Sequence, residues 1–200
     1  MGVVSPDALD AVTLDAFGTL LELRDPIGNL ERLLPGFDRS SIEGAFEREA
    51  EFYAAHSLEA RDAASLTKLR EACAAVFNAA LGSSLKPSEY TDALEFAWID
   101  GAVDAVRKLR ARGLAVAVVS NWDISLHDHA AELDAPVFTS AEAGARKPDP
   151  AVFALALQRL GVSARRALHV GDTDDDRDGA RAAGMQFAPA PLASVVEAWT

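Results

Sequence analysis

Apolar residues fall into two patterns along this chain. Short apolar runs bounded by turn residues occupy 11–14, 114–119, 136–139, 167–170 and 185–188, and each reads as a strand buried on both faces. Between the later runs the apolar positions take helical spacing. Val103, Val106 and Leu109 line one face, and Gly113 closes that helix. Asp149 followed by Pro150 predicts a helix start, with the aspartate as cap and the proline in the first turn, and Gly161 predicts its end. Strand alternating with helix predicts an α/β fold: a Rossmann-like, doubly wound parallel sheet of five strands with helices on both faces.

The segment 24–97 breaks this rhythm and contains no run that reads as a strand. Ser40 and Glu43 have the spacing of a capping box ahead of Phe46, Phe52 and Tyr53. Leu66, Leu69, Cys73, Val76, Phe77 and Ala80 make an apolar stripe that Gly82 ends. The pattern predicts a Rossmann-like core built from 1–23 and 98–200, interrupted by an all-helical cap over 24–97. No internal repeat or low-complexity segment is present.

Composition narrows the class. Of the 200 residues, half are hydrophobic and a quarter charged, as in ordinary globular proteins, and the formal net charge is -12. So acidic a surface repels nucleic-acid phosphates and anionic lipid, so neither is expected as a partner. A small anionic substrate stays compatible if the site supplies local positive charge. The single cysteine, Cys73, allows no intramolecular disulfide and lies on the apolar stripe, which suits a core position in a reducing compartment. Residues 1–17 hold no basic residue and no long apolar run, unlike a secretory signal, and 114–119 is too short to span a bilayer. A cytoplasmic protein is expected.

The polar residues that follow the strands carry the candidate chemistry. In an open parallel sheet, ligands bind beyond the carboxyl ends of the strands. Asp15 follows the first run and precedes a tight turn at Gly18, which is how a carboxylate nucleophile would be presented with backbone amides beside it. Ser120 and Asn121 end the second run, offering a hydroxyl and amide groups to a phosphoryl oxygen. Lys147 offers a point charge. After the run 167–170, Gly171 leads into five aspartates within the seven residues 172–178. Such a cluster repels itself without a counterion, and a hard cation such as Mg²⁺ resolves that repulsion with one or two carboxylates. Ser120 and Lys147 alone read as readily as a helix cap and a solvated surface charge, whereas the place of Asp15 and of the aspartate loop directly after apolar strands favours function over a turn or a solvated loop. The signal is the four in order at strand ends.

Asp15 with Thr19, Ser120, Lys147, and Gly171-Asp172 with Asp176 closely resemble the four signature motifs of the haloacid dehalogenase-like hydrolases. A helical cap inserted after the first strand is typical of one large subgroup. The Ser-Asn-Trp-Asp stretch at 120, Lys-Pro-Asp-Pro at 147 and Gly-Ala-Arg-Ala-Ala-Gly-Met at 179 look like uncharacterised bacterial members. The resemblance implies catalytic roles for Asp15, Thr19, Ser120 and Lys147. It implies substrate binding by Gly18, Ser120, Asn121 and Lys147. Mg²⁺ would be held by Asp15, the backbone carbonyl of Phe17 and Asp172, with Asp176 ordering its waters or pairing with Lys147. Such an enzyme would act on a small phosphorylated substrate, as a monomer or homodimer.

One position departs from the pattern. Phosphatases of the family carry a second aspartate two residues after the nucleophile, as acid and then base; here that residue is Phe17. Dehalogenases of the family have a tyrosine there and lack the acidic metal loop. The expectation is therefore Mg²⁺-dependent phosphomonoester hydrolysis, with a carbon–halogen hydrolase or a ligand-binding member without turnover as alternatives. Arg48, Tyr53, His56, Arg61 and Arg70 are the cap residues that offer a substitute for the missing acid or a specificity group, although each alone reads more readily as a surface residue, and His169 reads as a satisfied strand histidine.

Overall fold

The computed structural model describes residues 5–199. The chain divides into two compact units, one running up to Glu22 and resuming at Trp98, the other spanning Leu23–Ala97. Following the chain, β1 (Ala11–Leu14) is succeeded by a short β2 (Leu21–Leu23). The second unit holds α1 (Pro26–Leu33), α2 (Arg39–His56), α3 (Ala63–Leu81) and α4 (Pro87–Ala93), and the chain leaves it on β3 (Phe96–Trp98). Then come α5 (Ala102–Ala111), β4 (Ala115–Ser120), α6 (Leu126–His129), β5 (Val137–Thr139), α7 (Ser140–Ala143), α8 (Ala151–Leu160), β6 (Ala167–Gly171), α9 (Asp174–Ala182), β7 (Gln186–Pro189) and α10 (Leu192–Glu197).

The main sheet has the order β5-β4-β1-β6-β7, and every pairing in it is parallel. β1 is central and wholly buried, which is why its sequence is a continuous apolar run and not an alternating one. The chain lays β4 and β5 on one side of β1, then crosses back to build β6 and β7 on the other. Strand order thus reverses around β1, and the crevice beyond its carboxyl end is where such sheets bind ligands. One face packs Ala11, Ala117, Val119 and Ala167 with Val152, Phe153 and Ala156 of α8 and Ala180 of α9.

The helical unit has its own core of Leu30, Ile42, Ala45, Ala74, Phe77 and Tyr90. Leu69, Cys73 and Phe77 of the predicted α3 stripe are buried, and Gly82 ends α3 at φ 76°. Cys73 sits in a smaller cluster with Ala60 and Leu69.

Three local expectations are corrected. β2 and β3 form a two-stranded sheet, so 24–97 is not free of strand. Phe96–Trp98 is three residues long and only half-buried throughout, too short and too little patterned to stand out. The cap of α2 is Asp38, not Ser40. Asp38 accepts the Ser41 backbone N–H at 3.0 Å and the hydroxyls of Ser40 and Ser41, each at 2.7 Å. Those bonds favour the charged carboxylate and lower its pKa to about 2. Glu43, freed from the capping role, pairs with Arg39. Finally, α8 begins at Ala151, one residue later than expected, although Asp149 still accepts the Ala151 N–H at 2.9 Å. Among the described residues no helix is long and apolar enough to cross a membrane.

Candidate active site

Asp15 is the first residue past β1, and its backbone N–H still donates to Val170 of β6 at 2.9 Å. Its side chain is buried, and Oδ1 accepts from two donors: Ser120 Oγ at the end of β4, at 2.8 Å, and Lys147 Nζ, at 2.5 Å. The register pairs Leu14 with Val118 and with Val170, so the ends of β1, β4 and β6 are adjacent. That adjacency brings Asp15, Ser120 and Asp172 together from distant parts of the chain.

Lys147 is buried and donates to Asp15, to Asp176 and, at 3.3 Å, to the Val119 carbonyl. Burial alone would push the ammonium pKa down. The two carboxylates overcome that and hold it above its usual value, so Lys147 is a fixed positive charge. Its backbone is clamped by Asn121, which accepts the Lys147 N–H at 2.8 Å and donates to the Lys147 carbonyl at 3.1 Å. The Asn121 amide thus holds the lysine loop in place.

Asp176 is fully buried and heavily bonded. Besides Lys147, it accepts from His169 Nε2 at 2.9 Å and from the backbone N–H and hydroxyl of Thr173 at 3.1 and 2.6 Å. Burial acts to raise its pKa, but the bond from His169 and the charge of Lys147 carry it well below the usual carboxylate range. His169 is itself fully buried, and burial lowers its pKa, so the ring is neutral. An ionised carboxylate only accepts, so Nε2 carries the ring proton, and Nδ1 receives the Thr13 hydroxyl at 2.9 Å. The strand histidine is therefore satisfied, as expected, and its second partner makes it part of the site's support. Thr13, His169 and Thr173 escaped the sequence reading as site residues. The Thr-x-x-Asp spacing of 173–176, a capping box at the start of α9, was the available signal.

The turn after Asp15 is held by the Ala16 carbonyl, which accepts from Thr19, Leu20 and Leu21 at 3.3, 2.8 and 2.8 Å. The Gly18 N–H donates to the Leu21 carbonyl at 2.8 Å, so it is used within the turn. Both bonds of the Phe17–Leu21 bridge are thus made by Ala16 and Gly18, which leaves the Phe17 carbonyl outside it. Gly18 has φ 79°, and a Cβ there would collide with the Asp172 carboxylate. Glycine is required twice, for the left-handed backbone and for the approach of Asp172. Thr19 is buried, with its hydroxyl unpaired. The Phe17 ring is half-exposed and meets Trp122 edge-on at 6.4 Å.

Asp15, Asp172 and Asp176 each offer an oxygen within 4.8 Å of the others. Asp172 is exposed and makes no ion pair among the described residues. Partial desolvation and then the Asp15 charge raise its pKa. Three converging carboxylates, of which Lys147 serves two, leave a net negative charge that a hard divalent cation fits.

The cap candidates all lie in the helical unit. Arg48 and Arg70 are exposed, and Arg61 donates to the Leu58 carbonyl at 3.0 Å. His56 meets Phe52 edge-on, with ring centroids 4.1 Å apart, and Tyr53 packs beside the Cys73 cluster.

Comparison with known proteins decides the family. The haloacid dehalogenase-like hydrolase family matches residues 9–184. The chain belongs to this family. A mouse haloacid dehalogenase-like hydrolase domain-containing protein 3 is 42% identical over 98 residues, 45% of this hydrolase and 39% of the mouse protein. A Mycobacterium tuberculosis protein named as a phosphatase is 38% identical over 93 residues, 41% of each chain. The chain thus spans about two fifths of the length of the curated relatives it matches. Its fold matches L-2-haloacid dehalogenase from Xanthobacter autotrophicus with a TM-score of 0.69 and 25% identity, over 91% of this chain and 77% of that one.

Proposed function

We propose that this hydrolase cleaves small phosphomonoesters with Mg²⁺, through a phosphoryl group carried on Asp15. The observation behind this is the convergence of Asp15, Asp172 and Asp176, with Lys147 between two of them. A site working on neutral carbon–halogen bonds has no need of a third, cation-free carboxylate, and the repulsion at Asp172 would be a standing cost. The relative named as a phosphatase agrees with this reading.

Asp15 and Asp172 would hold the metal through carboxylate oxygens, with the Phe17 carbonyl as a neutral third ligand and Asp176 completing the group. When bound, Mg²⁺ supplies positive charge beside the transferring phosphoryl group. The protein's own residues do the rest. Ser120 and Lys147 hold Asp15 through Oδ1, which fixes the carboxylate and leaves Oδ2 to attack phosphorus. As the Asp15 O–P bond forms, the bond from phosphorus to the leaving oxygen breaks and that oxygen departs with the electron pair. Ser120 and Lys147 then donate to the phosphoryl oxygens as charge shifts onto them. Water attacks the same phosphorus next, releasing inorganic phosphate and restoring the Asp15 carboxylate. Lys147, pinned between two carboxylates and protonated, acts throughout as charge and not as a base. In this reading 24–97 serves as the cap and 1–23 with 98–200 as the catalytic core.

A second reading has its own observation: Phe17 stands where the dehalogenases of the family have an aromatic residue, and the Xanthobacter dehalogenase shares the fold. One panel separates the two. Phosphate monoesters and 2-haloacids are assayed with Mg²⁺ and with a chelator, on the wild type and Asp15→Asn. Mg²⁺-dependent phosphate release, lost in the variant, is expected. Halide release that persists under chelation would replace this proposal with the second reading.

A further inference from the structure

The chemistry around Asp15 limits which leaving groups can depart. Proton-bearing side chains that touch Asp15 are Ser120 and Lys147. Ser120 is a poor acid. Lys147 Nζ already donates to Asp15, Asp176 and the Val119 carbonyl, one acceptor for each of its three hydrogens. His169 lies behind Asp176 with both ring nitrogens used and no exposed surface. Asp172 lies against Gly18, beside Asp15 and Asp176, in the group that would face the cation. On the turn itself the residue two beyond the nucleophile is Phe17. Its ring is half-exposed, one of three large hydrophobic residues so exposed among the described residues, and Trp122 meets it edge-on. Phe17 and Trp122 thus present aromatic rings beside the nucleophile turn, and neither side chain is an acid that could protonate a leaving oxygen.

We infer that this site, given the phosphatase reading above, takes phosphoryl donors whose leaving group departs unaided as a stable anion. Aryl and acyl phosphates belong to this class and simple alkyl phosphates do not. The balance is plain. Asp15 displaces an aryl oxide or a carboxylate, which keeps the bonding electron pair and needs no proton at neutral pH. An alkoxide leaves in the same way only at high cost, unless an acid protonates it in the transition state. General acid help is typically worth about 10²–10⁴ in rate, and alkyl substrates are the ones that lose it. An aryl group also gains contact with the Phe17 ring.

The test is a leaving-group series at saturating Mg²⁺: acetyl phosphate, p-nitrophenyl phosphate, phenyl phosphate and glycerol phosphate, read as kcat/KM for phosphate release. The inference expects a steep fall along that order, with glycerol phosphate on the order of 10²–10⁴ below p-nitrophenyl phosphate. Phe17→Asp should narrow the gap between the two substrates, raising the rate on glycerol phosphate relative to p-nitrophenyl phosphate by at least about tenfold. Phe17→Leu, which restores no acid, should keep the steep series. The wild-type series decides the matter even if Phe17→Asp does not fold. A flat wild-type series would overturn the inference and leave the phosphatase reading standing, since a working acid would then exist. No Mg²⁺-dependent turnover of any of the four would remove the phosphatase reading itself, and this inference with it.

Discussion

The Lys147 ammonium lies 2.5 Å from Asp15 Oδ1, with both side chains shut away from solvent. Lys147 also reaches Asp176, so one cation neutralises two buried carboxylates. Removing it leaves both uncompensated. Breaking a buried pair in this way typically costs about 3–5 kcal/mol. Lys147→Met keeps most of the side-chain volume, and Asn121 still holds the loop backbone. The variant should fold, melt well below the wild type and hydrolyse nothing measurable. It should also gain more from Mg²⁺ than the wild type, because a bound cation replaces part of the missing charge. Thermal melts with and without Mg²⁺ check this. Equal increments for the two proteins would show that the metal does not bind at these carboxylates.

Asp172→Asn addresses the same charge from the other side. Ionising Asp172 in the metal-free native state is unfavourable, since partial desolvation and Asp15 raise its pKa. A raised native value means the folded protein binds that proton more tightly than the unfolded chain. The resulting stability is present below the ordinary carboxylate range, near about 3.9, and is lost as pH rises through the raised native value. At neutral pH in chelator, Asp172→Asn should therefore melt slightly higher than the wild type. With Mg²⁺ the order should reverse, because the variant lacks a ligand. Asp174→Asn, on an exposed residue paired with Arg177, should change neither melt. A variant that binds Mg²⁺ as tightly as the wild type would take Asp172 out of the metal site.

The parallel sheet was legible because buried strands write themselves as unbroken apolar runs, and each of the five predicted runs lies within two residues of an observed strand. β2 and β3 were not legible, since three half-patterned residues carry no period. The convergence of Asp15, Ser120, Lys147 and Asp172 could be read from their places after strands or in loops. How their hydrogen bonds divide could not. That depends on strand order: β6 lies beside β1, so Thr13 pairs in register with His169, and His169 then reaches Asp176. No linear spacing reports a contact across 156 residues. Asn121 is a similar case, because an asparagine after a strand looks the same whether it faces a ligand or a neighbouring loop.

Gly18→Ala should separate backbone cost from site geometry. A left-handed backbone costs an ordinary residue about 1–2 kcal/mol. Gly113 has φ 81° with open space where a Cβ would go, whereas at Gly18 the Cβ meets the Asp172 carboxylate. Gly113→Ala should lose stability alone. Gly18→Ala should lose comparable stability and, in addition, bind Mg²⁺ on the order of tenfold more weakly, since Asp172 must move aside. Mg²⁺ titrations followed by thermal shift compare the two directly. Matching Mg²⁺ affinities would mean that Asp172 can shift without consequence.

The helical unit offers a test independent of the active site. Tyr90 is buried, and its hydroxyl donates to the buried Glu49 carboxylate at 2.7 Å. Tyr90→Phe removes that donor and should cost about 1–3 kcal/mol, the usual penalty for stranding a buried polar partner. The alkaline limb is more specific. Burial, and then the Glu49 charge, raise the Tyr90 pKa far above its ordinary value. The native state therefore keeps a proton that the unfolded chain releases above about pH 10. Stability from this source is complete below that point and is lost as pH rises beyond it, by about 1.4 kcal/mol per pH unit for one proton. Urea unfolding at successive pH values above 10 should show wild type and Tyr90→Phe converging at that slope. Parallel curves would mean that Tyr90 ionises in the folded protein and that the Glu49 contact does not persist in solution.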